Sequence, residues 1–270
     1  MELRWILCSF ILLSTCAYVE TACQTRDWID SCRYTISCES HPGSATNPNC
    51  NYDPYVTFQI TNSIADVLTK GFFGSTNFDS RVRAIIAVNN TWSTISSQAF
   101  SYYTKTLVMD LSGNRIREIQ SEAFKNLFAL NFLNVSFNLI ETLYPHSFLT
   151  GDMKVSNIIT LDLSNNLLKN IASDTFVQCA NVQELHLQNN NIANLEDNVF
   201  SVLKNLTQLY LQNNKLTALN MALINLKQLK DLDLSHNRIS SLSGYETNRL
   251  ISIERLNMSN NMIKIIESNC

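Results

Sequence analysis

One residue type returns along this chain at near-constant spacing, and that register limits the available folds more than any other feature. Asn90, Asn114, Asn138, Asn166, Asn190, Asn214, Asn237 and Asn261 are separated by 24, 24, 28, 24, 24, 23 and 24 residues. Each closes the same pattern, apolar-x-x-apolar-x-apolar-x-x-Asn-x-apolar, as in "TLVMDLSGNRI", "VQELHLQNNNI", "LTQLYLQNNKL" and "LKDLDLSHNRI". The copy around Asn90, "VRAIIAVNNTW", is weaker. Leucines that alternate with polar residues before the asparagine read as a short strand with one buried face. A period of this length marks a solenoid. One repeat cannot bury its apolar face alone, so about three or more must stack.

The asparagine follows from what such a stack requires. Neighbouring coils lay their strands into a parallel sheet about 4.8 Å apart. The chain then turns inward and buries backbone N–H and C=O groups that need partners. A side-chain amide offers two donors and an acceptor, and a buried group left unpaired costs about 1–3 kcal/mol. A solvent-exposed turn would accept Asp, Ser or Gly at this slot. All eight copies hold Asn, which predicts a buried ladder.

A second column reinforces the first. Phe100, Phe124, Phe148, Phe176 and Phe200 each stand ten residues after the asparagine of their repeat. Together the two columns resemble the leucine-rich repeat family in its 24-residue extracellular type, over residues 82–266. The resemblance implies an α/β-type solenoid. It would be a horseshoe with a concave parallel sheet, an irregular or short-helical convex side and a disulfide-bonded N-terminal cap. It also implies membership of a group that includes Toll-type ectodomains and arthropod leucine-rich immune proteins. The arthropod proteins usually add a cysteine pair and a coiled coil after the repeats, and neither is present.

The N-terminal region agrees with that placement. Residues 1–17 read as a signal peptide, with Trp5 to Leu13 as a short apolar segment and a cleavage site after Ala17. The segment is shorter than the roughly 20 residues that span a bilayer. Cys23, Cys32, Cys38 and Cys50 follow within 18–55, and four cysteines so close in an exported chain suggest two disulfides. Three pairings are open. The gaps of eight, five and eleven residues do not suit a zinc site. Residues 56–81 would supply a cap strand at Val56, Phe58 and Ile60 and a degenerate first repeat. Residues 82–270 would hold about eight repeats.

Three departures stand out. The four extra residues between Asn138 and Asn166 should bulge after Phe148 on the outer side and leave the strand register intact. The coil after Asn214 is one residue short, and the last coils have Leu223 and Tyr245 as their best substitutes for Phe. The chain stops at Cys270 with no second cysteine-rich cap. An incomplete gene product, a short isoform and a dimer through Cys270 or end-to-end packing all fit. Cys179, in an apolar slot, reads as a small buried hydrophobe rather than a reactive thiol.

Functional residues are expected on the concave strands. The column between the paired apolar positions reads Ile86, Asp110, Asn134, Asp162, His186, Tyr210, Asp233 and Asn257. The column two residues earlier reads Ala84, Val108, Phe132, Thr160, Glu184, Gln208, Asp231 and Arg255. The first third is apolar and the rest polar and mildly acidic. The expected binding residues are Asp162, Glu184, His186, Gln208, Tyr210, Asp231 and Asp233, with Tyr210 as anchor and the carboxylates selecting a basic patch.

His186 with Asp162 and Glu184 lacks the donor set of a metal site, so no metal and no cofactor are expected. His41, His146, His186 and His236 are isolated, and no hydrolase, zinc-protease or phosphate-loop motif occurs, so no enzyme is expected. A net charge of −3 with 16% charged residues gives no basic field for nucleic acid or an anionic membrane. The sequence therefore predicts a secreted or extracellular module that binds a protein ligand or co-receptor. Its role would be innate-immune recognition or as an adaptor. A cell-adhesion, guidance or matrix protein, or the ectodomain part of a transmembrane receptor, is the alternative. Four N-glycosylation sequons start at Asn89, Asn134, Asn205 and Asn257. Glycans at Asn134 and Asn257 would narrow the free concave window to Asp162 through Asp233.

Overall fold

The computed structural model describes residues 33–39, 55–61, 66–68, 82–151, 155–244, 248 and 250–266. The expected signal segment, Cys23, Cys32, Cys50, Tyr245 and Cys270 lie outside them. Cys38 falls on a described strand.

The main sheet is built from β1 (Arg33–Glu39), β2 (Tyr55–Thr61), β4 (Val82–Ile86), β6 (Val108–Asp110), β8 (Phe132–Asn134), β9 (Thr160–Asp162), β11 (Glu184–His186), β13 (Gln208–Tyr210), β14 (Asp231–Asp233) and β16 (Arg255–Asn257). These ten strands follow one another in chain order across a single sheet. All pairs are parallel except β1 with β2. One residue per repeat strand points inward: Ile85, Met109, Leu133, Leu161, Leu185, Leu209 and Leu232 are buried, with Val82, Leu111, Leu163 and Leu187 beside them. The four extra residues leave the register untouched, because Phe132, Leu133 and Asn134 still face Thr160, Leu161 and Asp162.

The cap segment joins the stack more fully than its sequence suggests. β2 lies parallel to β4 with Phe58 opposite Ile85, after an irregularity at Val56/Thr57. The two-residue strand β3 (Val67–Leu68) then pairs with β5 (Thr94–Ile95), and Leu68 is fully buried. The chain from Tyr55 to Leu68 thus supplies both strands of a coil.

Beyond the asparagine of most coils two-residue strands form a second, flanking ribbon. It consists of β3, β5 and β7 (Glu118–Ile119), then β10 (Asn170–Ile171) with β12 (Asn194–Leu195), then β15 (Ser241–Leu242) with β17 (Ile265–Ile266). The convex return path is made of turns, held by bonds such as Ala123 N–H to Gln120 O and Leu127 N–H to Phe124 O. It takes the irregular form of the expected convex side; Asn248 N–H to Gly244 O is a bond of helical spacing. Phe100, Phe124, Phe148, Phe176 and Phe200 are buried there. Phe176 and Phe200 stack with ring centroids 5.9 Å apart, as do Phe100 and Phe124 at 6.0 Å. Leu223 takes the slot in the short coil and is buried.

Candidate functional site: the central concave strands

The concave surface is only as definite as the turns that hold it, and these begin at the asparagines. Asn90, Asn114, Asn138, Asn166, Asn190, Asn214 and Asn237 are all buried. Asn166 shows the shared pattern. Its Oδ1 accepts the Ile140 N–H of the previous coil (3.1 Å). Its Nδ2 donates to Val135 O in that coil (3.0 Å) and to Leu163 O in its own (3.1 Å). Asn190 repeats this with Leu168 N–H and Leu163 O, and Asn214 with Ile192 N–H and Leu187 O. The amides bridge backbone to backbone and do not bond one another. Asn261 makes the same bonds but is half-exposed.

The residue before each asparagine has positive φ: Asn89, Gly113, Phe137, Asn165, Asn189, Asn213, His236 and Asn260. This left-handed step aims its N–H at the next coil, as in Asn165 to Gln188 O (2.9 Å) and Phe137 to Ser164 O (3.1 Å). Asn and Gly adopt it readily, whereas Phe and other bulky residues do so at a cost. At Gly113 a Cβ would also lie 2.1 Å from Asn89 Oδ1.

A third device lies on the concave face itself. Asp110, Asn134, Asp162, Asp233 and Asn257 each accept the backbone N–H two residues on, from Ser112, Ser136, Ser164, Ser235 and Ser259, at 2.8–3.1 Å. These are side-chain turns of the kind Asp and Asn favour. Two central coils break the pattern: Asp-x-Ser gives way to His186-Leu187-Gln188 and Tyr210-Leu211-Gln212. There the side chains serve other ends. The His186 and Tyr210 rings stack, 4.8 Å apart and 20° from parallel. His186 Nε2 meets Glu184 Oε1 at 2.9 Å and its Nδ1 faces Gln188 Nε2 at 3.4 Å. Tyr210 donates to Gln208 Oε1 at 2.8 Å. Gln188 Oε1 and Gln212 Oε1 are shielded from solvent and accept no hydrogen bond from the protein. The replacement is legible in the sequence, yet a reading confined to the two strand columns misses both glutamines.

The register gathers all seven expected binding residues on four adjacent strands, with Glu184 between Thr160 and Gln208 and His186 between Asp162 and Tyr210. Gln208 and Tyr210 stand beside Asp231 and Asp233. The acidic rim is less free than the columns imply. Asp231 is buried and ion-paired with Arg255, whose Nη2 donates to Asp231 Oδ2 at 2.6 Å. That pairing pushes the Arg255 guanidinium further above its usual range. Asp233 Oδ2 accepts from Asn257 Nδ2 (3.2 Å) while its Oδ1 holds the turn. Glu184 is engaged with His186. Burial, then the Glu184 and Asp231 carboxylates, push the Tyr210 hydroxyl above its ordinary value and keep it neutral.

Elsewhere, Cys179 is a fully buried free thiol, and burial pushes it up to about 12. Among the described residues no group of three or more His, Cys, Asp or Glu could hold a metal ion, and no helix is long and apolar enough to cross a membrane. Of the sequon asparagines, Asn89, Asn205 and Asn257 are exposed and Asn134 is half-buried.

A parallel-stranded solenoid of about eight coils, with bridging amides and a phenylalanine column, defines a repeat scaffold. The family model "Leucine rich repeat" matches residues 105–150, 153–192 and 180–239. The chain is a leucine-rich repeat protein, and its repeats resemble those of Toll-type ectodomains. No curated protein sequence matches it. Among solved structures it is similar to Toll-like receptor 13 in a complex with a single-stranded RNA, at 26% identity and a TM-score of 0.67. That match covers 75% of this chain and 28% of the receptor. The Drosophila Toll–Spatzle complex matches at 23% identity and 0.62, over 78% and 32%. Human 5T4, a Wnt-activated inhibitory factor, matches at 24% and 0.58, over 67% and 70%. The last two, at these identities, show the fold alone. The chain thus spans about a third or less of the Toll-type proteins it resembles.

Proposed function

We propose that this chain is an extracellular recognition module that grips a protein ligand or co-receptor on its central concave strands, in innate-immune recognition or as an adaptor. One observation carries the reading. The polar coils from Asp110 to Asn257 close their turns with their own Asp or Asn, except the two where a stacked His186–Tyr210 pair and two unpartnered glutamine oxygens stand instead. A neutral tyrosine that keeps its ring half-exposed is a favoured anchor, because it buries a large area at small entropic cost. The Gln188 and Gln212 oxygens, shielded and without a protein donor in the free chain, become acceptors for a partner once their side chains turn outward. The Toll-like receptor 13 resemblance supports the immune setting.

The test is a screen of the purified chain against an array of extracellular proteins, repeated with Tyr210→Ala/Gln212→Ala. The double variant should weaken the binder at least about tenfold, as loss of an aromatic anchor does, while Lys204→Glu on the return path should leave it unchanged. A binder that ignores the double variant and is lost in Lys204→Glu would move the site off the concave face. Single-stranded RNA belongs in the same assay, since Toll-like receptor 13 is solved with one. The negative net charge alone does not exclude nucleic acid, and saturable RNA binding would overturn the protein-ligand reading. A guidance, matrix or adhesion protein on the array, rather than an immune one, would favour that alternative.

A further inference from the structure

We infer that Asn134 carries an N-linked glycan and that this glycan covers the apolar N-terminal part of the concave sheet, a proposal that rests on the extracellular reading above. The four sequons differ in what their amides do in the fold. Asn205 Nδ2 donates to Ala180 O at 3.1 Å, and Asn257 Nδ2 donates to Asp233 Oδ2 at 3.2 Å. Asn89 has φ 56° and its Oδ1 lies close against Gly113 of the next coil. Asn134 alone has its oxygen committed and its nitrogen free of the protein: Oδ1 accepts the Ser136 N–H at 2.9 Å. Glycosylation forms a bond from Nδ2 to the anomeric carbon of N-acetylglucosamine. The pyrophosphate of a lipid-linked oligosaccharide leaves and takes up the proton that Nδ2 loses. At Asn134 this leaves every hydrogen bond of the turn in place.

The surroundings give such a glycan something to cover. On β8, Phe132 sits two residues before Asn134 on the same face, beside Val108 of β6, and Ala84 and Ile86 of β4 continue the apolar surface. All are half-buried by the protein itself. On either side of Asn134 the register places Asp110 and Asp162. Each uses Oδ1 in its turn, and the other oxygen can accept from sugar hydroxyls. A pyranose ring has an apolar C–H face suited to Phe132 and a rim of donors suited to the two carboxylates. With that third of the sheet covered, a protein partner is confined to the strands around His186 and Tyr210.

The experiment is expression in a eukaryotic secretory line, glycopeptide mass spectrometry of the four sequons, and comparison with Asn134→Asp and Asn205→Gln. Aspartate holds the same turn at Asp110 and Asp162, so Asn134→Asp removes the sugar without removing the acceptor. The expected result is an occupied Asn134, with several-fold higher bis-ANS fluorescence in Asn134→Asp and no change in Asn205→Gln. Secreted protein with a glycan at Asn89, Asn205 or Asn257 but a bare Asn134 overturns the proposal and spares the extracellular reading. Bare asparagines at all four positions overturn the proposal, and a chain that the line does not secrete overturns both. A glycosylated Asn134 whose loss leaves the dye signal unchanged overturns the covering role.

Discussion

The concave sheet runs unbroken through ten strands, whereas the ribbon on the far side of the asparagines is cut into three pieces. Between Asn90 and Asn261, two coils contribute no flanking strand, the ones that start at Asn138 and Asn214. These are also the two coils whose length departs from 24, at 28 and 23 residues. At both breaks a side chain replaces the missing ladder bond. Ser147 Oγ donates to Ile119 O of β7 (3.0 Å), and Asn220 Nδ2 donates to Leu195 O of β12 (3.3 Å). From Asn90 to Asn237 the concave register is pinned by a buried apolar strand residue and a buried amide in each coil. The flank is held by two residues per strand, so it absorbs the mismatch. A binding face can therefore keep its geometry while the outer side varies in length.

The most direct way to break that comparison is to remove the pin where a long coil ends. Asn166→Ala deletes the bridge between coils and leaves buried backbone groups unpaired. At about 1–3 kcal/mol each, the loss should reach about 4 kcal/mol or more in urea unfolding. Asn261→Ala, at the half-exposed last rung, should lose much less, because water can replace the amide. Equal losses would contradict the ladder as the source of the register. Next in size, Phe176→Ala should cost about 3–5 kcal/mol by leaving a cavity in the phenylalanine column.

The thiol packed behind that column sharpens the same contrast through pH. Cys179 has a raised folded value of about 12 against 9 unfolded. Its stabilising contribution is complete below pH 9 and is lost as pH rises toward 12, by at most about 1.4 kcal/mol per pH unit. Cys179→Ala should flatten that decline, and the native thiol should resist alkylation at pH 8. The smallest effect is a gain. Phe137 holds a φ of 53° and is 62% exposed, so Phe137→Asn should raise stability by about 1 kcal/mol. A fall in melting temperature would mean that the ring makes contacts that offset its strain.

Much of this fold is legible in the sequence. The spacing from Asn90 to Asn261 and the five phenylalanines fixed the coil count, the parallel sheet and the buried columns, because a 24-residue period leaves each leucine one place to go. The cap segment was harder to read. Phe58 and Leu68 each sit 27 residues before their partners Ile85 and Ile95, a spacing that hides the coil from a 24-residue search. The candidate site was legible by position and not by state. The strand columns gathered Glu184, His186 and Tyr210, but not the ion pair that occupies Asp231, nor the turns that use Asp162 and Asp233. Those bonds join residues about 24 apart in the chain or reach from side chain to backbone.

By itself, then, the sequence determined which residues stack and which face they share, since period and apolar pattern act locally in every coil. Only the tertiary structure decided which polar groups were already satisfied and which were left open. A hydrogen bond depends on angstrom-scale separations between coils, and those exist only once the solenoid has closed around its core.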